Sequence, residues 1–260
     1  MKQATMPALF VGHGNPMNAL ETNQFTETWR KLGESIPTPK SIVSVSAHWE
    51  TKDTYVTGME YPKTIHDFGG FPKQLFEVEY PAKGNPELAS KITEIVSSKR
   101  INIDINNWGL DHGTWSVLVH MFPKADIPVI QLSLDRFALP EEHFNLGKEL
   151  ATLRNKGVLF VCSGNIIHNL RMVDWRNYDN QYDWAIKASN QIKTYIQNKE
   201  YDALFNAHTL NNDIALSVNS AEHYMPLFYL LGLEKVSDTF SFFNDEIIMG
   251  SLSMTGILLK

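Results

Sequence analysis

The run Ala8-Leu9-Phe10-Val11-Gly12-His13-Gly14-Asn15-Pro16 decides how this chain is read. Four consecutive apolar residues are too few for a helix. They read as a strand buried on both faces, as strands of a parallel sheet are. The flanking glycines let the backbone turn sharply and expose the imidazole of His13 just past the strand. The arrangement recurs twice. Ser41-Ile42-Val43-Ser44-Val45-Ser46 reads as a strand and is followed by Ala47-His48-Trp49. Val158-Leu159-Phe160-Val161-Cys162 reads as another, and Ser163-Gly164-Asn165-Ile166-Ile167-His168 follows it. Residues 127–132 give one more strand.

Between these runs, residues 23–35, 86–98 and 140–156 carry amphipathic helical spacing. Thr22 is the expected cap of the first, and Gly157 ends the third. Residues 182–198 and 221–231 read as further helices, and residues 239–243 and 254–259 as strands. No repeat, low-complexity segment or linker interrupts the pattern. The expectation is one α/β domain over residues 1–260, with a central mixed, mainly parallel sheet flanked by helices.

The 260 residues are 43% hydrophobic and 20% charged, ordinary for a globular enzyme. The net charge is −6, from 23 basic and 29 acidic residues, and no basic run invites nucleic acid. No apolar stretch is long enough to span a membrane. Residues 1–6 lead into the first strand without a signal-peptide core, and Cys162 is the only cysteine. A cytoplasmic protein without disulfides is expected, and any metal must be held by His, Asp and Glu. Cys162, inside an apolar strand, reads as an inert packed thiol. Gly12-His13-Gly14 lacks the Lys-Ser/Thr ending of a phosphate loop.

A single strand-end histidine commonly just hydrogen-bonds a loop. Three at the carboxyl ends of parallel strands are different, because loops there converge on one crevice. Imidazole is the commonest neutral metal ligand, so His13 and His48 read as ligands and His168 as their neighbour. His112, in Trp108-Gly109-Leu110-Asp111-His112-Gly113, and His223, in Ser220-Ala221-Glu222-His223-Tyr224, are further candidates. His66 lies in a glycine- and aromatic-rich loop and reads equally as a substrate entrance or a structural turn. His120 reads as part of a packed helix face. His143 and His208 read as surface residues without function.

These residues carry a resemblance. Gly12-His13-Gly14-Asn15-Pro16-Met17, Ser46-Ala47-His48-Trp49 and His66-Asp67-Phe68-Gly69-Gly70-Phe71-Pro72 resemble the DOPA-type extradiol dioxygenases. So do Asp111-His112-Gly113-Thr114-Trp115, Ser163-Gly164-Asn165-Ile166-Ile167-His168-Asn169-Leu170 and Glu222-His223-Tyr224-Met225-Pro226-Leu227. The family belongs to the class III extradiol enzymes, related to the catalytic subunit of protocatechuate 4,5-dioxygenase. The blocks stand in the expected order from near residue 7 to Met254. The resemblance implies one divalent metal, held by His13, His48 and His223, with His168 either a fourth ligand or the acid/base. The wider class uses two histidines and a carboxylate. Here Glu222-His223 offers either residue as the third ligand, and the DOPA-type motif favours His223.

The same resemblance implies extradiol cleavage of a catechol such as DOPA by O₂. Fe(II) is expected as the working ion, with Zn(II) able to occupy an all-histidine set. His168 is the first choice for the base and His112 the second, and Trp49, Phe68 and Phe71 are candidate walls for the ring. The sequence leaves open the natural catechol, the ring bond broken and the oligomeric state. Two rivals share these residues: a zinc hydrolase, which would work without oxygen, and a non-catalytic metal-binding protein on the same fold.

Overall fold

The computed structural model describes residues 5–260, so part of the segment read as free of a signal-peptide core lies outside the described residues. Among the described residues there are ten strands: β1 Ala8–Gly12, β2 Ser41–Thr51, β3 Thr54–Thr57, β4 Ile101–Asp104, β5 Val129–Asp135, β6 Val158–Gly164, β7 Phe240–Phe243, β8 Ile247–Ile248, β9 Leu252–Ser253 and β10 Gly256–Leu259. Eight of them form one sheet in the order β4-β3-β5-β2-β6-β1-β10-β7, and β8 and β9 pair separately. The central run β5-β2-β6-β1 is parallel. Antiparallel pairs flank it, β3 against β5 on one side and β10 and β7 on the other. The expected mixed, mainly parallel sheet is what the chain forms.

Alternate residues of the central strands feed two separate cores. Ala8, Phe10, Val43, Val45, Phe160 and Cys162 face one side, and Leu9, Val11, Ile42, Leu159 and Val161 face the other. The first side is covered by α2 Pro86–Ile95, α4 Pro140–Leu150, α5 Asp183–Asn198 and α6 Met225–Gly232. The second is covered by α1 Gln24–Ser35 and α3 His112–Met121. Burial on both faces is why these strands read as unbroken apolar runs.

Several boundaries differ from the sequence reading. Asn23, not Thr22, caps α1: its side chain accepts from the N–H groups of Phe25 and Thr26, while its own N–H donates to Thr26 Oγ1. The expected helix over residues 140–156 tightens at Leu150 into the 3₁₀ segment Ala151–Lys156, closed by Gly157 at φ 87°. The last helix begins at Met225 rather than residue 221, with Pro226 in its first turn. β3 and β4 were not expected. Each has four residues, and polar Asn102 and Asp104 break any apolar run in β4.

β2 runs past His48 to Thr51 instead of ending before it. Its pairing with β5 shifts register between Val45 and Glu50, and His48 sits inside that bulge. A bulge re-aims the side chains it contains, which turns His48 out of the regular alternation. His143 is not a surface residue. It is 2% exposed, and its Nδ1 lies 3.3 Å from the Tyr229 hydroxyl where α4 packs on α6.

Candidate metal centre

The parallel register brings the strand ends level, with Gly12 opposite Gly164 and Ser46 opposite Ser163. His13 therefore leaves β1 beside the end of β6 and close to the bulge of β2. The imidazoles of His13 and His48 meet there with their Nε2 atoms 3.0 Å apart. The ring centroid of His223 lies 5.3 Å from that of His13 and 5.1 Å from that of His48. His112 stands 3.9 Å from His48, centroid to centroid. His168 lies flat on His223, with centroids 3.5 Å apart and planes at 9°. All five candidate histidines thus gather at the carboxyl ends of the strands.

Two glycines make this approach sterically feasible. A Cβ on Gly164 would lie 2.2 Å from the carbonyl oxygen of His223, which itself accepts from the Asn165 N–H at 2.8 Å. The end of β6 thus holds the His223 turn in place by backbone contact. A Cβ on Gly113 would lie 2.5 Å from Ser46 Oγ and 2.9 Å from His48 Cδ2, so the start of α3 can sit against β2 only as glycine. Asp111 caps that helix, its carboxylate accepting from the Thr114 N–H. Burial and the nearby Asp67 charge push the Asp111 carboxyl up to about 6.

The Nδ1 atoms of three of these rings face oxygens. Ser163 Oγ donates its one proton to the Gly113 carbonyl, so at 2.9 Å it accepts from His13 Nδ1–H. Neutral His13 then carries its lone pair on Nε2. His112 Nδ1 lies 2.9 Å from Asp67 Oδ2, and His223 Nδ1 lies 3.2 Å from Glu222 Oε1. More distantly, His48 Nδ1 is 3.5 Å from Asp67 Oδ2.

Burial, followed by the neighbouring imidazoles, holds His13 and His48 well below the usual histidine range. His168 is lowered to about 3 by burial and then by His223, and burial also lowers His223 against the opposing pull of Glu222. For Glu222, burial raises the carboxyl, but hydrogen bonds from His223 and Ser220 outweigh it and bring it to about 2. Neutral imidazoles with converging lone pairs repel one another unless a proton or cation lies between them. The donor set fits a divalent ion, because 3.0 Å is about the separation of two adjacent nitrogens each ~2.1 Å from one centre.

A cavity of about 500 Å³ opens over the cluster, lined by His13, His48, His112, His168 and His223 at its floor and by Phe71 on one wall. The other two expected walls are elsewhere. Trp49 stacks on Trp108 at 5.6 Å, and Phe68 packs edge-on against His112 at 5.5 Å. His66 serves the fold, its Nε2 lying 3.0 Å from the Val78 carbonyl oxygen. His120 belongs to α3 and bonds the Asn18 carbonyl, as its packed setting implied. Cys162 is buried, and burial raises its thiol far above the ordinary range. Sequence reasoning passed over Asp67 and Ser163, which orient His112 and His13. Asp67 stands next to a histidine in sequence but serves a different one 45 residues on.

Known proteins share this chain's features. The family described as the catalytic LigB subunit of aromatic ring-opening dioxygenase matches residues 7–233. A protein of Escherichia coli K12 named 4,5-DOPA dioxygenase extradiol is 44% identical over 99% of this chain and 96% of its own length. One of the same name from Beta vulgaris is 36% identical over 86% of this chain and 85% of its own. The crystal structure of an uncharacterized Escherichia coli K12 protein superposes with a TM-score of 0.85 at 41% identity, covering 97% of this chain and 99% of that one.

Proposed function

The chain belongs to the LigB family of aromatic ring-opening dioxygenases, and from that premise we propose that it cleaves a catechol such as DOPA beside one hydroxyl. Both atoms of O₂ enter the product. The observation that carries the reading is the gathering of imidazoles at the strand ends: ligand atoms of His13, His48 and His112 lie within 4.8 Å of one another, those of His168, Glu222 and His223 likewise, and the His223 ring stands 5.3 Å from His13 and 5.1 Å from His48, centroid to centroid. His13, His48 and His223 are the proposed metal ligands, with His13 and His223 already held at Nδ1 by an oxygen. Glu222 stands behind His223 as its hydrogen-bond acceptor, an arrangement that orients a ligating imidazole and raises its basicity. That favours His223 over Glu222 as the ligand.

Fe(II) bound there would acidify the catechol hydroxyls and supply the redox centre that oxygen chemistry requires. The rest falls to side chains. His168 is proposed as the acid/base rather than a fourth ligand. Its ring lies nearly parallel to that of His223 and 3.5 Å from it, so the two in-plane lone pairs occupy separate planes instead of meeting at one point, even though ligand atoms of His168, Glu222 and His223 lie within 4.8 Å of one another. Burial and His223 hold His168 neutral, lowered to about 3, so it is the negative charge of a bound catecholate that would let it take up a hydroxyl proton and return it. His112 is the second proton carrier: Asp67 at Nδ1 stabilises the imidazolium that forms when Nε2 takes a proton. Phe71 supplies an apolar wall for the ring.

The test is anaerobic loading with Fe(II), followed by L-DOPA and simple catechols with dissolved oxygen and absorbance recorded together. Stoichiometric oxygen uptake with a yellow ring-opened product is expected. No uptake with any catechol, despite a filled site, would turn the assignment towards metal-assisted hydrolysis.

A further inference from the structure

Asp111 caps α3 and His112 and Gly113 open it, and each of the three serves a different part of the histidine cluster. The Gly113 carbonyl accepts from Ser163 Oγ, which in turn accepts from His13 Nδ1–H. His112 is itself one of the five rings. The Asp111 carboxylate takes a hydrogen bond from the Ser46 hydroxyl, whose oxygen accepts the His48 backbone N–H at 3.2 Å. A shift of this one turn therefore disturbs the supports of His13, His48 and His112 together.

Gln131 ties the turn to the sheet. It is a fully buried amide in β5, between Ile130 and Leu132, and it does not line the cavity. Its Oε1 accepts the Asp111 N–H at 3.2 Å and the Thr114 hydroxyl at 3.0 Å, while its Nε2 donates to Asp111 Oδ2. One side chain thus holds both the backbone and the carboxylate of Asp111. The grip is braced from behind. The Gln131 N–H donates to Thr57 Oγ1 at 2.8 Å, and Ser44 Oγ donates to Thr114 Oγ1 at 2.7 Å, since the Thr114 proton goes to Gln131. Ser44, Thr57, Asp111, Thr114 and Gln131 are at most 1% exposed. Burying a carboxylate among polar partners is costly, and apolar packing of the same volume is often as stable or more so. Holding the helix to the sheet does not by itself call for this network.

We infer that Gln131 is a positioning residue for the metal centre: by locking Asp111 it fixes where α3 begins, and so aligns the proton carrier His112 with the ligands His13 and His48. Its effect on turnover rests on the ring-cleavage reading. Its effect on the metal rests only on the histidine centre.

Co(II) loaded in place of Fe(II) reads ligand geometry through its visible absorption, with no turnover needed. Gln131→Met keeps the length of the side chain and removes both hydrogen-bonding atoms. Its Co(II) spectrum should differ from the parent's. With Fe(II) and a catechol, kcat should fall about tenfold and KM stay within about twofold, read well below the melting temperature. Asp111→Asn combined with Gln131→Glu exchanges acid and amide, so that every donor again meets an acceptor. That pair should restore both spectrum and kcat. Thr114→Val removes a single bond to Gln131, should shift the spectrum less, and carries the test if Gln131→Met does not fold.

A purely structural Gln131 would lower the melting temperature while the folded variant kept the parent spectrum and kcat, and that result overturns the inference. So does an exchange pair that folds yet keeps the altered spectrum. If the Fe(II)-loaded parent takes up no oxygen with any catechol, ring cleavage falls, whereas a shifted Co(II) spectrum in Gln131→Met still supports the positioning role.

Discussion

Asp67 grips His112 with both oxygens of its carboxylate: Oδ2 lies 2.9 Å from Nδ1, and Oδ1 accepts the His112 backbone N–H at 2.9 Å. Burial alone would raise the Asp67 carboxyl, but these hydrogen bonds bring it below its usual value. The pair fixes the rotation of His112 and ties the loop carrying Asp67 to the start of α3. Asp67→Asn keeps the shape and removes the charge. Turnover should fall about 10–100-fold, the usual cost of losing a partner that orients a site histidine. Steady-state kcat beside metal content checks it. Because the two residues act as one unit, Asp67→Asn combined with His112→Ala should cost little more than His112→Ala alone.

Ligands and proton carriers separate by metal analysis. His13→Ala, His48→Ala and His223→Ala should each lose most of the metal after dialysis. His168→Ala should retain most of it and lose most turnover. Metal loss in the His168 variant equal to that in the His13 variant would make His168 a ligand.

Gly164→Ala tests the backbone contact that positions His223. The new methyl would sit 2.2 Å from the His223 carbonyl oxygen, so the turn must move. A stability loss of about 1–3 kcal/mol is expected, as for other overpacked sites, together with weaker metal binding. Thermal melting and a competitive zinc titration read the two effects separately.

His143 predicts a pH dependence unconnected with catalysis. Burial lowers it from 6.5 to about 4, so between those values the unfolded chain takes up a proton that the folded protein refuses. Stability should therefore be full above about pH 6.5, fall as the pH drops towards 4, and level off below that. Over the whole window this one group contributes on the order of 3 kcal/mol. Urea unfolding of chelator-treated protein at pH 7 and pH 5 reads this together with same-sign losses from the lowered site histidines, and the part of the difference removed by His143→Asn is the contribution of His143.

Strands were legible wherever burial on both faces produced unbroken apolar runs, as in β1 and β6, and the longer helices by their amphipathic spacing. The short strands β3 and β4, at one side of the sheet, were not, because four residues leave too little pattern to read. His143 was misread for a related reason. One polar residue in an amphipathic helix looks solvated until the partner helix is known, and α6 comes more than 80 residues later. The late start of α6 and the Asn23 cap turn on local competition among polar side chains, which spacing does not resolve.

The sequence by itself determined the chemical inventory: one buried thiol, no cysteine ligands, and histidines placed just beyond runs that must be parallel strands. Those facts follow from composition and from the period of burial along the chain. Only the tertiary structure decided which imidazoles meet, which nitrogen each one presents, and what stands behind it. Ser163 faces His13 across 150 residues, and Asp67 faces His112 across 45. Such pairs depend on strand register, on a bulge that turns His48, on Gly164, which lets β6 touch the His223 backbone, and on Gly113, which leaves room for the Ser46 and His48 side chains. These are properties of how distant segments pack, and no local stretch of the chain contains them.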